Sequence, residues 1–472
     1  MKRKTKTEKG AMLTMVLVFS FIFLIMLGGL LTFILIQHKV SVQNIAWEES
    51  LRVAESGIDY YKWCLNNGAE DQCQMQRNYY DQEGVLIGDF SLEVISDVSC
   101  GETISRRIYS TGRSSKYNDV ERTLEVAYGR MSIAKFAYLL NDNVWAGPDR
   151  QIKGLYHSNG GIRMDGENQS LISSTLNEWV CTSSFGCSTC PVSSGCRIEG
   201  SNCICPGVFT TTENPRTDLF SFPVSPFDFA GITVDLAGIK SKAQSYSIYL
   251  PPSGSIDSSA DGYHLVFKPD GTVEVRIITR LWSDWAYSEE QGWHNDYFRI
   301  RDEYLYNTYS IESSCPVIFV EDNLWVEGTI AGKVTLASAN LISPAVKTNI
   351  ILVNDIDYAA YDENHAFMAI AENNVLISPS SPDNMFLHGI IIAQNGHFGI
   401  NHYPDNIKNN LELNGSVVSN GRVGTQWISG SYIVSGYLHR QNYTDPDLIY
   451  SALPFVPYSE YEFKAIKWEE LD

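Results

Sequence analysis

From Ala11 to Ile36 the chain holds no Asp, Glu, Lys or Arg. As a helix, such a run reaches roughly 39 Å, more than a ~30 Å hydrocarbon core. Beyond it the pattern becomes one-sided. Val42, Ile45, Ala46, Leu51, Ala54, Ile58 and Tyr61 hold roughly one helical face, while Glu48, Glu49, Arg52 and Glu55 occupy much of the other. Asn66-Asn67-Gly68 is where the helix should stop, because Asn and Gly tolerate a left-handed C-cap. The pattern thus predicts one helix from about residue 11 to residue 66. The period then drops to two. Phe90–Ile95, Arg107–Gly112 and Arg122–Tyr128 alternate like short antiparallel strands, each bounded by Gly, Ser or Asp. Met131–Leu140 reads as a helix or a strand.

Further on, short apolar stretches are broken by a polar Asn. The device occurs at Asn159, Asn323, Asn340, Asn373-Asn374, Asn395 and Asn420. Asn tolerates a left-handed corner and hydrogen-bonds its own backbone, and stacked corners of this kind turn the coils of parallel β-helices. The later corners recur at irregular intervals of 17–33 residues, which suits successive coils with insertions. Sandwich strands joined by Asn turns are the alternative. Between the first corner and the later ones, Phe227–Ala243 reads as a strand and then a short helix. His264–Ile278 reads as a hairpin around Asp270-Gly271. The Trp- and Tyr-rich stretch Trp282–Tyr309 is expected to fill a β core, with an exposed aromatic patch as the alternative. The predicted fold class is α+β, mostly β: a long N-terminal transmembrane helix, a small antiparallel sheet, then a β-rich head with parallel β-helix-like coils. The segments run 1–10 (basic leader), 11–36 (transmembrane helix), 37–67 (helix continuation), 68–145 (small β head), 146–310 (β-rich, with a Cys-rich insertion at 181–205) and 311–472 (β-helix-like region and tail).

Charge orients this arrangement. Lys2, Arg3, Lys4, Lys6 and Lys9 precede the apolar run, so the positive-inside bias keeps the N-terminus cytoplasmic and sends the following ~430 residues outward. A cleaved secretory signal fits poorly, because the apolar core is about twice the usual length and no A-x-A-like site follows. The net charge of −20 argues against nucleic acid as a partner, since phosphates would be repelled. An exported location permits disulfides among the ten cysteines. Cys181, Cys187, Cys190, Cys196, Cys203 and Cys205 crowd a Ser/Gly/Pro-rich stretch with almost no apolar residues. Three bridges are expected to hold it, with connectivity open. Zinc is the alternative for Cys187-x2-Cys190, but no second C-x2-C follows. Cys64 and Cys73 are a candidate pair closing a short loop at the foot of the helix.

Signatures of catalysis are scarce. There is no H-E-x-x-H, G-x-S-x-G, P-loop or G-x-G-x-x-G after a strand. His157, His397 and His402 read as surface or corner residues. The acidic stretch Asn354–Glu363 offers oxygen ligands without the spacing of a calcium loop, and reads as a solvated loop. No cofactor is expected.

Glu8-Lys9-Gly10 directly abuts Ala11-Met12-Leu13. A basic leader ending in Gly against an apolar helix resembles a type IV prepilin. Ala54-Glu55-Ser56-Gly57-Ile58 is similar to the A-E-A-G-[IL] signature of the PilX-type N-terminal family of pilin-like proteins. The tail, from Gly436-Tyr437 through Tyr443–Tyr450 to Leu453–Pro457, resembles the ends of large PilX-like surface proteins, as does His157-Ser-Asn-Gly160. The resemblance implies a pilin-like helix and head, and cleavage between Gly10 and Ala11. Counted from Ala11, the fifth residue is Met15, where major pilins carry a Glu that sets filament register. This departure suits a tip or rare component. The expected function is a minor pilin-like structural protein of a type IV pilus or related filament, in assembly or surface adhesion, and not an enzyme. Its expected partners are other pilin-like subunits, a prepilin peptidase, the pilus assembly platform and the membrane. Two alternatives stand beside it: an N-terminally anchored surface protein outside any pilus, and a surface carbohydrate-active β-helix protein.

Overall fold

The apolar run and the one-sided run form one uninterrupted helix, α1, spanning Lys9–Asn66. It stops where Gly68 takes a φ of 64°, and the Asn67 amide still donates to the Trp63 carbonyl at 3.1 Å. The fold is that of a computed structural model, which describes residues 9–230, 233–312, 314–430, 432–450 and 453–471. The chain divides into two compact units, one holding residues up to 95, 106–128 and from 465 on, the other 96–105 and 129–464.

In the first unit α1 is two helices by surface character. Between Met12 and Ile36 its large apolar side chains are 41–77% exposed, and the segment is long and apolar enough to cross a membrane. From Ala46 on, Ala46, Ser50, Val53, Ala54, Ile58, Tyr61 and Leu65 are buried on one stripe. The stripe is shifted slightly from the expected one: Ile45 is exposed, while Val42 and Leu51 are half-buried. A strand lies directly against its backbone. Ser110 Oγ donates to the Ala54 carbonyl at 2.8 Å, and a Cβ on Gly112 would run into the Ser50 carbonyl. A Cβ on Gly57 would strike Ser110 and Phe90. The Ala54–Gly57 motif is therefore small because the sheet needs that space. The sheet has the order Gln76–Tyr80, Leu86–Ser99, Glu102–Ser114, Tyr117–Ser132, Tyr458–Leu471. Its first pair is antiparallel. Its last strand comes from the C-terminal tail, which the sequence pattern leaves with the later region.

The second unit is built on parallel ladders. One passes through Phe220–Ser221, Ile172–Ser174, Leu155–Ser158, Phe136–Leu140, Ile407–Ser419, Asn384–Ala393, Ala366–Ala371, Lys333–Ser338, Val317–Val320 and Ile248–Leu250. A second passes through Gly262–Phe267, Leu324–Ile330, Ile350–Tyr358, Val375–Ile377 and Phe398–Gly399. Stacking order departs from sequence order: Phe136–Leu140 pairs with Ile407–Ser419, so the earliest strand of this unit sits beside one of the latest. The stretch read as helix or strand is mainly this strand, after a 3-10 turn at Ile133–Lys135.

Both faces of the first ladder are buried. One face joins a core with Leu336, Ala369, Ile391 and Val417. The other carries Phe319, Ala337, Met368, Ile370 and Ile392 under Val234, Leu236, Ile239 and Ala243. This explains why Val317–Val320 and Ala366–Ala371 read as continuous apolar runs and not as alternation. The covering helix, α2, is Leu236–Tyr246, capped where Asp235 Oδ1 accepts from the Gly238 amide at 2.9 Å. No strand precedes it at Phe227–Ala230, contrary to the sequence expectation.

Candidate functional site

The processing positions Gly10 and Ala11 fall inside the backbone span of α1. Met15 lies a turn further on, 61% exposed on the segment whose large apolar side chains face outward. With a thioether at this position and no charge through Ile36, the segment offers no carboxylate to a neighbouring amine.

The cysteines are brought together in pairs: Cys64 with Cys73, Cys181 with Cys187, Cys190 with Cys203, Cys196 with Cys205, and Cys100 with Cys315. Cys181, Cys187, Cys196, Cys203 and Cys205 contribute the only sets of three close potential ligand atoms among the described residues. Because each of these sulfurs is in a bridge, no thiolate is left for the zinc alternative. The Cys100–Cys315 bridge carries no sequence signal, since its partners are 215 residues apart.

The three singled-out histidines do not converge. His157 is buried, with Nδ1 at 2.9 Å from Ser173 Oγ and Nε2 at 3.2 Å from Asn159 Oδ1, and burial lowers its pKa. His397 reaches Glu290 at 3.3 Å. The His402 ring packs edge-on to Trp293 at 5.3 Å and beside Trp427 at 5.9 Å, and burial lowers its pKa.

The aromatic stretch corrects the sequence reading. Thr272–Ser288 and Gly292–Ser310 form one long antiparallel hairpin. Its inner face does fill a core, with Leu281, Phe298 and Ile300 packed on Ile278, Trp325 and Ile351. Trp325 Nε1 donates to the Phe298 carbonyl at 2.7 Å. The buried Asp296 carboxylate accepts from Asn401 at 2.7 Å and from the Tyr403 hydroxyl at 2.9 Å. Burial, then the Asp296 charge, pushes the Tyr403 pKa up. Other aromatic side chains of the hairpin are different. Trp282, Trp285, Trp293 and Tyr297 are 44–54% exposed. Trp285 and Trp293 stack at 5.7 Å and 10°. Arg301 and Arg299 lie over Trp282 at 4.6 and 5.4 Å, with Arg299 held by Asp284 at 2.6 Å. The signal was present in the interleaving: Trp282-Ser-Asp-Trp285 and Arg299-Ile-Arg-Asp302 place charges between aromatics, which a dry core does not accept. Half-exposed indoles flanked by fixed polar groups suit sugar rings or a protein partner.

Neither a family model nor a curated protein matches the chain. Among solved structures it is similar to the crystal structure of the competence-associated pilin ComZ from Thermus thermophilus, at 11% identity over 90% of this chain and 97% of that one, with a TM-score of 0.30. At that score the two backbones share too little for fold or role to be carried across.

Proposed function

We propose that this chain is a minor pilin-like structural protein, anchored by α1 with its N-terminus in the cytoplasm and its head at the cell surface. It acts by assembly and surface adhesion, without catalysis. The observation that carries this reading is the two-part helix: an exposed apolar half continuing, without a break, into a half whose one buried stripe is covered by a sheet. The prepilin-like leader places cleavage between Gly10 and Ala11, and Met15 in place of Glu favours a rare position in the filament. The parallel ladders are then read as coils of a β-helix-like head, with the exposed tryptophans on its hairpin as the adhesive surface. Mass spectrometry of the membrane-extracted protein tests the reading. A chain that begins at Ala11, and that keeps its leader when Gly10→Glu is introduced, supports it. A wild-type chain that still begins at Met1 overturns it in favour of an ordinary surface anchor.

A further inference from the structure

The interior of the second unit holds an unbalanced charge. The strand Arg150–Lys153 pairs in parallel with Tyr432–Tyr443, and the register sets Arg150 directly beside Arg440. Side chains alternate along a strand, so Arg150 shares a face with Ile152, and Arg440 shares one with Asn442. That face points inward: Ile152 and Leu411, the neighbour of Arg440 on the next strand, belong to one buried core. Arg150 is 4% exposed and Arg440 5%. A guanidinium keeps its proton even when buried. Two like charges therefore stand side by side away from water, and directly opposed like charges destabilise a sheet. Burial first, then the Arg150 charge, lowers the Arg440 pKa.

One carboxylate serves this pair. Asp149 holds Arg440 by both prongs of the guanidinium fork, Nε donating at 2.7 Å and Nη2 at 2.6 Å. The acidic groups that act on Arg150 are Asp149, Tyr138 and Tyr156, and Asp149 is committed to the neighbour. The tyrosines do not supply the missing charge. Burial pushes the Tyr156 pKa up. The Tyr138 hydroxyl donates to Asn442 Oδ1 at 3.0 Å, so it keeps its proton. Arg150 Nη1 donates to the Tyr138 hydroxyl at 2.6 Å and to the same Asn442 oxygen at 3.3 Å. Two donors converging on that atom fix it as the amide oxygen.

The fork that Arg440 fills is almost empty on Arg150. Its Nη2 meets the Thr425 hydroxyl at 3.3 Å, and its Nε has no partner among the described residues. Asn442 Nδ2, on a side chain 2% exposed, has none either. Buried donors without acceptors are costly, and a buried charge without a counter-charge costs more. A water molecule would satisfy a donor and leave the charge standing, whereas an anion answers both. Thr425 is itself fully buried, so the anion that reaches this place is small.

We propose that Arg150 and Asn442 hold a chloride ion inside the head, as the counter-charge of the arginine pair. The site belongs to the second unit alone and stands whether or not the chain is processed at Gly10.

The test uses the full chain in detergent. Its thermal midpoint is followed as sodium gluconate, whose anion is too bulky for a closed site, is exchanged for sodium chloride at fixed ionic strength. An ion bound by the folded chain alone raises the midpoint, and the expected rise is about 2–4 °C. Asn442→Asp puts a carboxylate oxygen in place of the unpartnered amide and supplies the missing charge internally, so its midpoint should no longer respond to chloride. Arg150→Met removes the charge that needs an anion and should abolish the response as well, which covers a failure of the aspartate variant to fold. Arg197→Gln, at an exposed ion pair of the Cys-rich insertion, should keep the response. A wild-type midpoint indifferent to chloride would overturn the site, and so would an equal rise in Asn442→Asp or Arg150→Met. Crystals of the wild-type chain grown in bromide give the position. An anomalous peak within hydrogen-bonding reach of Arg150 Nε supports the proposal, and a water there without such a peak overturns it.

Discussion

The parallel strands and the Cys-rich insertion solve the same problem by opposite means. From Ala366 to Ala371 every residue is buried, on both faces, and each strand also shares a backbone ladder with its neighbours. The insertion has three short strands, Glu178–Cys181, Arg197–Glu199 and Asn202–Pro206, and two 3-10 turns. Its buried cluster is five cysteines with Trp179 and Phe209. Where apolar side chains fall in register, burial of area holds the chain. Where the sequence supplies Ser, Gly and Pro, cross-links restrict the unfolded chain instead.

The comparison breaks most directly at Phe367, which is fully buried and packs edge-on to Phe267 at 5.7 Å. Phe367→Ala should cost about 3–5 kcal/mol, read as a fall in the denaturant midpoint of the full chain in detergent. Protease resistance of the insertion should be unchanged below that midpoint. Simultaneous cleavage of the insertion would show that the two regions are not independent.

Replacing Cys196 and Cys205 by Ser removes one bridge of the insertion. About 2–4 kcal/mol should be lost from the insertion itself, seen as rapid proteolysis between residues 181 and 205 while the ladder strands keep their amide-exchange protection. A general loss of protection would mean that the bridges hold more than their own loop.

Gly415 sharpens the comparison inside the ladder. It has a φ of 137° and pairs with Gly389, itself at 134°. These two glycines let the long strands Asn384–Ala393 and Ile407–Ser419 bend from one ladder to the next. A Cβ at Gly415 would run into the Gly389 backbone. Gly415→Ala should therefore cost about 1–3 kcal/mol, measured by thermal unfolding; an unchanged midpoint would show that the bend does not need the left-handed region.

Several of these features were legible from the sequence and several were not, for physical reasons. The helix was readable because its pattern is local, and Ala54–Gly57 because small residues in a fixed motif report a close neighbour. The places of most of the Asn corners were readable too, though not their conformation: Asn159, Asn323, Asn373, Asn374, Asn395 and Asn420 all sit where strands leave the ladders, but none of them has the left-handed φ expected of it. Asn340 is the exception. It opens a longer loop, accepting from the Ser343 amide at 2.7 Å, and takes no part in the amide stack. The stacking order was hidden because pairing between Phe136–Leu140 and Ile407–Ser419 leaves no trace in either segment alone. The acidic stretch was visible as composition but not as structure: read as a solvated loop, its first half, Asn354–Tyr358, is the end of the strand Ile350–Tyr358.

Asn349 shows what that hidden part amounts to energetically. It follows a polar loop, Val346-Lys-Thr-Asn349, so the apolar flank Ile350–Val353 lies only after it and none precedes it. Yet it is the amide that fills the gap left by Asn340. Its Oδ1 accepts from Asn373 Nδ2 and from the Asn374 amide, both at 3.1 Å, and its own amide donates to Asn323 Oδ1 at 2.9 Å. Asn349→Ala removes the side-chain acceptor from two half-buried donors but leaves the last bond in place. The cost should be about 1 kcal/mol, with Asn340→Ala costing less because its loop faces solvent. Denaturant midpoints of the two variants decide the matter: a larger loss at Asn340 would mean that the loop, and not the amide stack, fixes this corner.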